Sequence, residues 1–399
     1  MISKESHQIS VTLSFGSDPF QQRMPEALSQ CGMLRRVLRF SPELAVLEPN
    51  ETGSLIVVKT FPQYRLASRL LWGAWSRLPG RGRVPTPIVA SAWFADRLAS
   101  KYVPQSSIFQ GYTALCRACL QAAKRHRAVT LVLNTSLHPR DWQREVIAEC
   151  RNFSINPRHC DSALPASLIR RREREYELCD KILVLSSLAQ RTFEEHGYEK
   201  KAVVVWPGVD HQFFKPPNEP RQDDLFRVCF VGRVELAKGI GYLLTAWKRL
   251  ALPNAELVLI GKVYPETNLL FTKYRAENVR LLGRLPAEEV AKQYQKSSLL
   301  VLPSVHEGFG LVLLEAMASG LPVVATDRSG AVDCVEAGKE GLVVPARNAE
   351  ALAEAILWCY QHRDRSRTMG RAARTKIEQR FTLAHYEARQ IALYRSLAS

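Results

Sequence analysis

Short apolar runs that alternate with helical segments constrain the fold of this chain most. In the first half these β-rich runs are ISVTLSF, SLIVVKT, TPIVAS, VTLVLN, KILVLS and AVVVWP. Each run has the length and the Val and Ile content of a buried strand. Because strands that alternate with helices form parallel sheets with crossover connections, the sequence predicts an α/β fold.

A proline-rich break separates this series from a second one. Residues 206–225, WPGVDHQFFKPPNEPRQDDL, contain four prolines and a polar run, a composition typical of an interdomain linker. The second series then reads FRVCFVGR, GIGYLLTAWKRL, AELVLIG, VRLLG, PAEEVAKQYQKS, SLLVLPS, LPVVATD and GLVVPA. It predicts a doubly wound α/β domain, followed by an amphipathic closing helix over LAHYEARQIALYRSL. With 399 residues, the chain is long enough for two domains.

The cysteines and the N-terminus indicate a reducing compartment. The nine cysteines are an odd number and are scattered through predicted helices and strands. Cys116 and Cys119 form a CxxC, but it lies in a predicted helix without a second pair or histidines at zinc spacing. The first residues, MISKESHQIS, lack the apolar centre of a secretory signal. We therefore expect a cytoplasmic protein, peripheral at the inner face of a membrane if it binds one.

The positive charge is concentrated in the first half of the chain. The net charge is +16, and residues 51–150 hold 14 Lys and Arg against five Asp and Glu. Such a surface attracts acidic lipid, lipid-linked phosphate or nucleic acid, and charge alone does not choose between them. The segment 69–87, RLLWGAWSRLPGRGRVPTP, suits an anionic membrane surface, and a core-facing helix with a basic edge explains it equally well.

A single ionisable residue stands in a long apolar stretch of the second series. Between Gly310 and Asp327 the chain reads LVLLEAMASGLPVVAT, and Glu315 is its only charge. An unpaired buried carboxylate is costly, so we expect a polar group to meet it. Glu307 stands eight residues earlier, before a glycine-bearing loop that leads into the helix. A helix-capping pair would explain Glu307 but not the mid-helix Glu315, so the pattern favours a site for a hydroxylated, phosphorylated ligand.

Two cations follow the first strand of the second series. FRVCFVGR ends in Gly232 and Arg233, and Lys238 stands at the start of the next helix. A strand's carboxyl end and a helix N-terminus, joined by Arg and Lys, suit a diphosphate. The order of GRVELAKG is not the GxxxxGK[ST] of a nucleoside triphosphate loop. Taken alone, the pair is equally well explained as two solvated surface cations.

Several of these segments together resemble a known family. GRVELAKG, VRLLGRLPAEEV and EGFGLVLLEAMASGLPVVAT are similar to the donor domain of retaining GT-B glycosyltransferases of family 4, the glycosyl transferases group 1, and the similarity covers most of residues 180–395. The resemblance implies two Rossmann-like domains that face each other across a cleft, with a C-terminal helix that crosses back to the first. We accordingly expect an acceptor-binding domain over 1–208, a donor-binding domain over 209–380 and a closing helix over 381–399.

The resemblance also implies roles for individual residues. Arg233 and Lys238 would bind the donor pyrophosphate and stabilise the leaving nucleoside diphosphate. Glu307 would hydrogen-bond the hydroxyls of the transferred sugar, and Glu315 those of the ribose. The rest of the donor site would be formed, largely by main-chain groups, at Gly232, Gly283, Leu285, Gly308, Phe309, Gly310 and Leu311.

The first domain offers two further candidates. His138 lies just past strand VTLVLN, where it would face the cleft, and in similar enzymes a histidine there contacts the donor sugar. A structural histidine is an equal alternative. Gly16, in FGSDPF, occupies the place of the family's glycine-rich loop but lacks the usual double glycine.

The expected reaction is transfer of a hexosyl unit from a UDP- or GDP-sugar to an acceptor hydroxyl with retention of configuration. Neither a cofactor nor a metal ion is expected, because Arg233, Lys238 and the helix N-terminus would stabilise the leaving diphosphate. The expected acceptor is a saccharide or a lipid-linked saccharide, in polysaccharide or glycolipid synthesis. A sugar-nucleotide epimerase or a phosphorylase on the same fold stays open. A nucleic-acid-binding protein is disfavoured because basic and aromatic residues do not interleave on a sheet or a recognition helix.

Overall fold

The computed structural model describes most of the chain. The described residues are 9–15, 21, 23–39, 45–50, 55–60, 87–157, 160, 163–219, 223–274 and 276–398. Gly16 and the tryptophan- and arginine-rich stretch from Arg69 to Arg83 lie outside them, so the expectations placed on these residues stay predictions.

Strands and helices alternate along the described residues. The strands are β1 (Val11–Phe15), β2 (Leu34–Arg39), β3 (Ala45–Pro49), β4 (Leu55–Thr60), β5 (Ile108–Tyr112), β6 (Val129–Asn134), β7 (Lys181–Val184), β8 (Ala202–Val204), β9 (Phe226–Val231), β10 (Ala255–Ile260), β11 (Val279–Gly283), β12 (Leu299–Leu302), β13 (Val323–Thr326) and β14 (Gly341–Val344). The helices are α1 (Met24–Gln30), α2 (Pro87–Ala99), α3 (Arg117–Arg125), α4 (Pro139–Asn152), α5 (Ala166–Leu178), α6 (Ser187–Glu194), α7 (Ile240–Leu250), α8 (Asn268–Tyr274), α9 (Ala287–Lys296), α10 (Leu311–Ala318), α11 (Ala331–Cys334), α12 (Ala349–Gln361), α13 (Arg363–Arg380) and α14 (Leu383–Ala398). None of these helices combines the length and apolarity needed to span a membrane.

The first sheet contains eight strands in the order β4-β3-β2-β1-β5-β6-β7-β8. The pairs β2–β3 and β3–β4 are antiparallel, whereas the pairs from β2 through β1 to β8 are parallel, as the alternation predicts. The run TPIVAS, predicted as a strand, instead opens helix α2, with Pro87 as the first helical residue. Proline suits that position, and a short apolar run does not by itself distinguish a buried helix from a strand.

The second sheet contains six parallel strands in the order β11-β10-β9-β12-β13-β14. Every strand and helix predicted in the second series is present. Helices cover both faces of this sheet, and all four residues of β12 and of β13 are buried. The structure therefore confirms two α/β domains built on parallel sheets, and the proposed boundaries after residues 208 and 380 both fall outside the sheets.

The C-terminal helix α14 returns to the first domain, as expected for this fold. Gln390 Nε2 and Tyr394 OH both donate hydrogen bonds to Gln110 Oε1 on β5, at 2.5 and 2.9 Å. All three side chains are buried. Before this helix, Val209 N donates a hydrogen bond to Phe381 O. The two segments that connect the domains, after residues 208 and 380, therefore lie side by side. The shared acceptor on Gln110 anchors the last helix to the first sheet.

We expect Gln110→Leu to destabilise the protein by about 1–3 kcal/mol, because two buried donors lose their acceptor. Chemical denaturation measures this loss, and Gln212→Leu on the exposed linker is the matched control. Equal stability of the two variants would contradict the anchoring role of Gln110.

Candidate functional site

A cavity of about 400 Å³ lies where the carboxyl ends of the two sheets meet. The first domain contributes residues that follow β6 and β7. The second domain contributes residues that end or follow β9 and β12 and residues that begin α10. The described lining residues are Thr135, Leu185, Val231, Gly232, Arg233, Lys238, Leu302, Glu307, Phe309, Gly310, Leu311 and Val312. The cavity therefore collects both predicted cations, the first predicted glutamate and the glycine-bearing loop.

Two residues that line this cavity, Lys238 and Glu307, form an ion pair. Lys238 Nζ donates to Glu307 Oε2, and the two side chains are only 12% and 14% exposed. Ser304 Oγ also donates to Glu307 Oε2, at 3.3 Å. Gly239, which follows Lys238, has a φ of +69°, and a Cβ there would overlap the carbonyl oxygen of Pro303. Glycine is thus required where the turn carrying Lys238 packs against the loop carrying Glu307.

Arg233 is held at the cavity wall by groups from both domains. Its Nη2 lies 3.0 Å from Oε1 of the buried Glu235. Its guanidinium lies 5.7 Å from the ring centroid of Trp142, a residue of helix α4 in the first domain. With the Arg233 side chain 48% exposed, the guanidinium stays accessible to a ligand. An accessible guanidinium beside a lysine suits a diphosphate.

The loop from Gly308 to Gly310 is where the domains come closest. A Cβ on Gly308 would overlap the carbonyl oxygen of Thr135, and Ser186 Oγ donates to Gly308 O at 2.5 Å. Gly310 has a φ of +85° and caps the N-terminus of α10. Phe309 between them is buried, and its carbonyl accepts a hydrogen bond from Gly330 N at 2.7 Å. The loop therefore presents backbone rather than side chains to the first domain.

Glu315 finds its polar partner in Tyr294. The phenol of Tyr294, on helix α9, donates to Glu315 Oε2 at 2.9 Å. Burial raises the pKa of Glu315 to about 7, and the hydrogen bond from Tyr294 opposes this shift. The partly buried Glu315 also lines a side cavity of about 70 Å³ that shares Leu311 with the main one. The predicted polar partner is thus present within the protein.

Five of the predicted residues that the structure describes do not line the cavity: Gly308, Glu315, His138, Gly283 and Leu285. His138 caps helix α4, its Nδ1 accepts from Arg140 N at 3.4 Å, and only 1% of the residue is exposed. Its ring stacks on His196, with centroids 3.9 Å apart. Gly283 ends the edge strand β11, and Leu285 is partly buried against the core, so their role in binding the base stays a prediction.

The expectation that His138 faces the cleft is therefore corrected. The buried phenyl ring of Phe193 also packs edge-on against the imidazole, with centroids 5.2 Å apart. Burial, together with the nearby charges of His196 and Arg140, lowers the pKa of His138 to about 3. The neutral ring is part of an aromatic cluster inside the first domain, with Phe193, His196 and Tyr198. Thr135, three residues earlier, is the residue after β6 that reaches the cavity.

Sequence reasoning missed Trp142, Tyr294 and Thr135. Thr135 carried a usable signal, because it is the first residue after the predicted strand VTLVLN and so marks the carboxyl end of that strand. Trp142 and Tyr294 lie inside ordinary amphipathic helices, where an aromatic residue more often indicates core packing than a contact with a binding site.

We expect His138→Ala to lower the free energy of unfolding by about 1–3 kcal/mol, because a buried ring in an aromatic cluster is removed. Binding of a nucleoside diphosphate should stay unchanged. Chemical denaturation and calorimetric titration measure the two quantities, with the exposed His126→Ala as control. If His138→Ala loses diphosphate binding while its stability is unchanged, His138 does belong to the binding site.

We expect the wild type to lose more stability than Glu315→Gln as the pH rises from about 5 to about 8. The folded pKa of Glu315, about 7, lies above the ordinary glutamate value of 4.5. Below 4.5 its contribution to stability is complete, and it is lost as the pH rises through 7, because the folded protein then gives up a proton that it retains more tightly than the unfolded chain. Denaturation at both pH values measures the difference, and Glu354→Gln on an exposed helix face is the control. Parallel pH profiles of wild type and Glu315→Gln would rule out the raised pKa.

Comparison with known proteins supports the interpretation of the second domain. The profile of the family described as Glycosyl transferases group 1 matches residues 212–376. D-inositol 3-phosphate glycosyltransferase from Corynebacterium urealyticum is 31% identical over 256 residues, which cover 57% of this chain and 60% of that protein. The chain spans about half to three-fifths of the length of the curated relatives it matches.

Two solved structures are similar over nearly the whole chain. Sucrose-phosphate synthase from Thermosynechococcus elongatus has a TM-score of 0.64 at 20% identity and covers 98% of this chain and 99% of its own. The Anabaena protein HepE, solved with UDP and glucose, has a TM-score of 0.64 at 18% identity and covers 97% and 99%. Identities this low show the fold alone, which is GT-B. Residues 212–376 thus match the Glycosyl transferases group 1 model, within a chain that has the GT-B fold.

Proposed function

We propose that this protein is a glycosyltransferase that moves a hexosyl unit from a nucleoside diphosphate sugar to an acceptor hydroxyl with retention of configuration. The observation that carries the proposal is the Lys238–Glu307 pair beside Arg233 in the cavity between the domains. Two cations and a carboxylate there match the needs of a diphosphate joined to a hydroxylated ring.

In this proposal the ion pair changes partners when the donor binds. Lys238 moves toward the diphosphate, and the released carboxylate of Glu307 accepts hydrogen bonds from the sugar hydroxyls. Arg233 and the backbone N–H groups at the start of α10 add positive potential where the leaving group gains charge. These groups do the work that a metal ion would otherwise do, so we propose a reaction that needs neither metal nor cofactor.

Retention is supported by the distribution of carboxylates. The described lining residues include one carboxylate, that of Glu307, and it is paired with Lys238 of the second domain. The described lining residues of the first domain are Thr135 and Leu185, neither of which is a general base. We therefore propose that the leaving phosphate takes the acceptor's proton on the same face of the sugar.

The proposed donor is a UDP- or GDP-sugar, and UDP is the ligand named for the structurally similar HepE. The proposed acceptor is a saccharide or a lipid-linked saccharide. Binding to an anionic membrane surface through residues 69–83 is part of this proposal. Donor identity is tested by incubating the protein with nucleotide sugars, with and without saccharide acceptors, and following nucleoside diphosphate release. Nuclear magnetic resonance of the product then reports the anomeric configuration.

We expect Lys238→Met to weaken binding of UDP or GDP by about ten- to a hundredfold, because a charge-assisted contact to the diphosphate is lost. Titration calorimetry measures the affinity. Lys248→Met, on the exposed face of α7, is the matched control and should bind like the wild type. If no nucleoside diphosphate binds to the wild type, the proposed function is wrong.

A further inference from the structure

Among the described lining residues, the first domain contributes one whose side chain is polar. That side chain is Thr135, and the other described contribution from this domain, Leu185, is apolar. The Thr135 hydroxyl lies 2.8 Å from the hydroxyl of Tyr112. A threonine hydroxyl has one donor and two acceptor positions, so one bond to Tyr112 leaves capacity for a ligand.

The position of Thr135 is fixed by the sheet. Tyr112 ends β5 and Thr135 directly follows β6, and these neighbouring parallel strands pair Tyr112 with Leu133. Behind them, Tyr176 OH donates to Asn134 Oδ1 at 3.0 Å, and the same hydroxyl lies 3.0 Å from Thr113 Oγ1. These three side chains are buried. The ends of β5 and β6 are thus joined by two sets of polar contacts, one between Tyr112 and Thr135 and the other through Tyr176.

The backbone of Thr135 touches the loop that carries the donor-side residues. The carbonyl oxygen of Thr135 lies where a Cβ on Gly308, the residue after Glu307, would have to be. Thr135 lines the same cavity as Glu307 and Lys238, from the opposite domain. A sugar whose diphosphate lies on Arg233 and Lys238 would have Glu307 on one side and Thr135 on the other.

We propose that Thr135, oriented by Tyr112, hydrogen-bonds a hydroxyl of the transferred sugar and so helps to determine which sugar the site accepts. This inference rests on the proposed function. It assigns Thr135 a direct contact with the sugar and Tyr112 a positioning role. It also restricts the substrate class to sugars with a free hydroxyl on the side that faces the first domain.

The test compares binding of a nucleotide sugar with binding of the matching nucleoside diphosphate. The probes are UDP-glucose with UDP and GDP-mannose with GDP, and the pair that the wild type binds is used. We expect Thr135→Val to weaken binding of the nucleotide sugar about three- to tenfold and to leave the diphosphate affinity unchanged, because only the sugar reaches Thr135. Thr135→Ser keeps the hydroxyl and should bind like the wild type.

Tyr112→Phe separates positioning from packing. It keeps the ring and removes the bond to Thr135, so we expect a smaller loss of affinity, again confined to the nucleotide sugar. Thr272→Val, on α8 away from the cavity, is the matched control. Melting temperatures of all variants show that they are folded.

A second measurement uses donors that lack single hydroxyl groups. For the deoxy-sugar donor that lacks the contacted hydroxyl, the difference between wild type and Thr135→Val should vanish. If Thr135→Val binds the nucleotide sugar as tightly as the wild type, or weakens the sugar and the free diphosphate equally, the contact does not exist. If the wild type binds neither member of either pair, the proposed function itself fails, which is a different result from a silent Thr135 variant.

Discussion

The ion pair between Lys238 and Glu307 is the interaction on which the site depends. It joins the segment after β9 to the segment after β12, two strands that are neighbours in the second sheet. Taking both charges out of water is costly, and the pair repays that cost only with additional hydrogen bonds such as the one from Ser304. An ion pair of this kind adds little to the stability of the fold. It favours ligand binding, however, because both charged groups are already desolvated and oriented. A sugar diphosphate offers phosphate to one partner and hydroxyls to the other.

Glycine positions make this arrangement possible. Gly239 permits the turn with Lys238 to approach Pro303, and Gly308 permits the two domains to touch beside Thr135. Any larger residue would push apart the segments that carry the charges. These close backbone contacts therefore fix the positions of the segments that carry Lys238 and Glu307.

The second domain could be predicted from its sequence almost element by element, whereas the first could not. In the second domain, continuous apolar strands such as SLLVLPS alternate with amphipathic helices, so local pattern and global fold agree. In the first domain β2 reads LRRVLR and mixes charged with apolar residues. Its position next to β1 depends on a parallel pairing across the intervening helix α1, which a local pattern does not contain. The two antiparallel strands at its edge pair instead with near neighbours in the sequence, such as Arg39 with Ala45 and Pro49 with Leu55.

The candidate site was predictable where chemistry is concentrated in a short segment and not where it is assembled from separate ones. An isolated Glu315 indicated a buried carboxylate with a polar partner, but Tyr294 as that partner could not be found from a sequence separation of 21 residues. The error with His138 has a similar cause. Distance along the chain from a strand end does not specify direction, and helix α4 starts with Pro139, so His138 becomes a cap that turns into the packed interior. Thr135 is closer to the strand, before the chain turns, and for that reason it remains at the cavity between the domains.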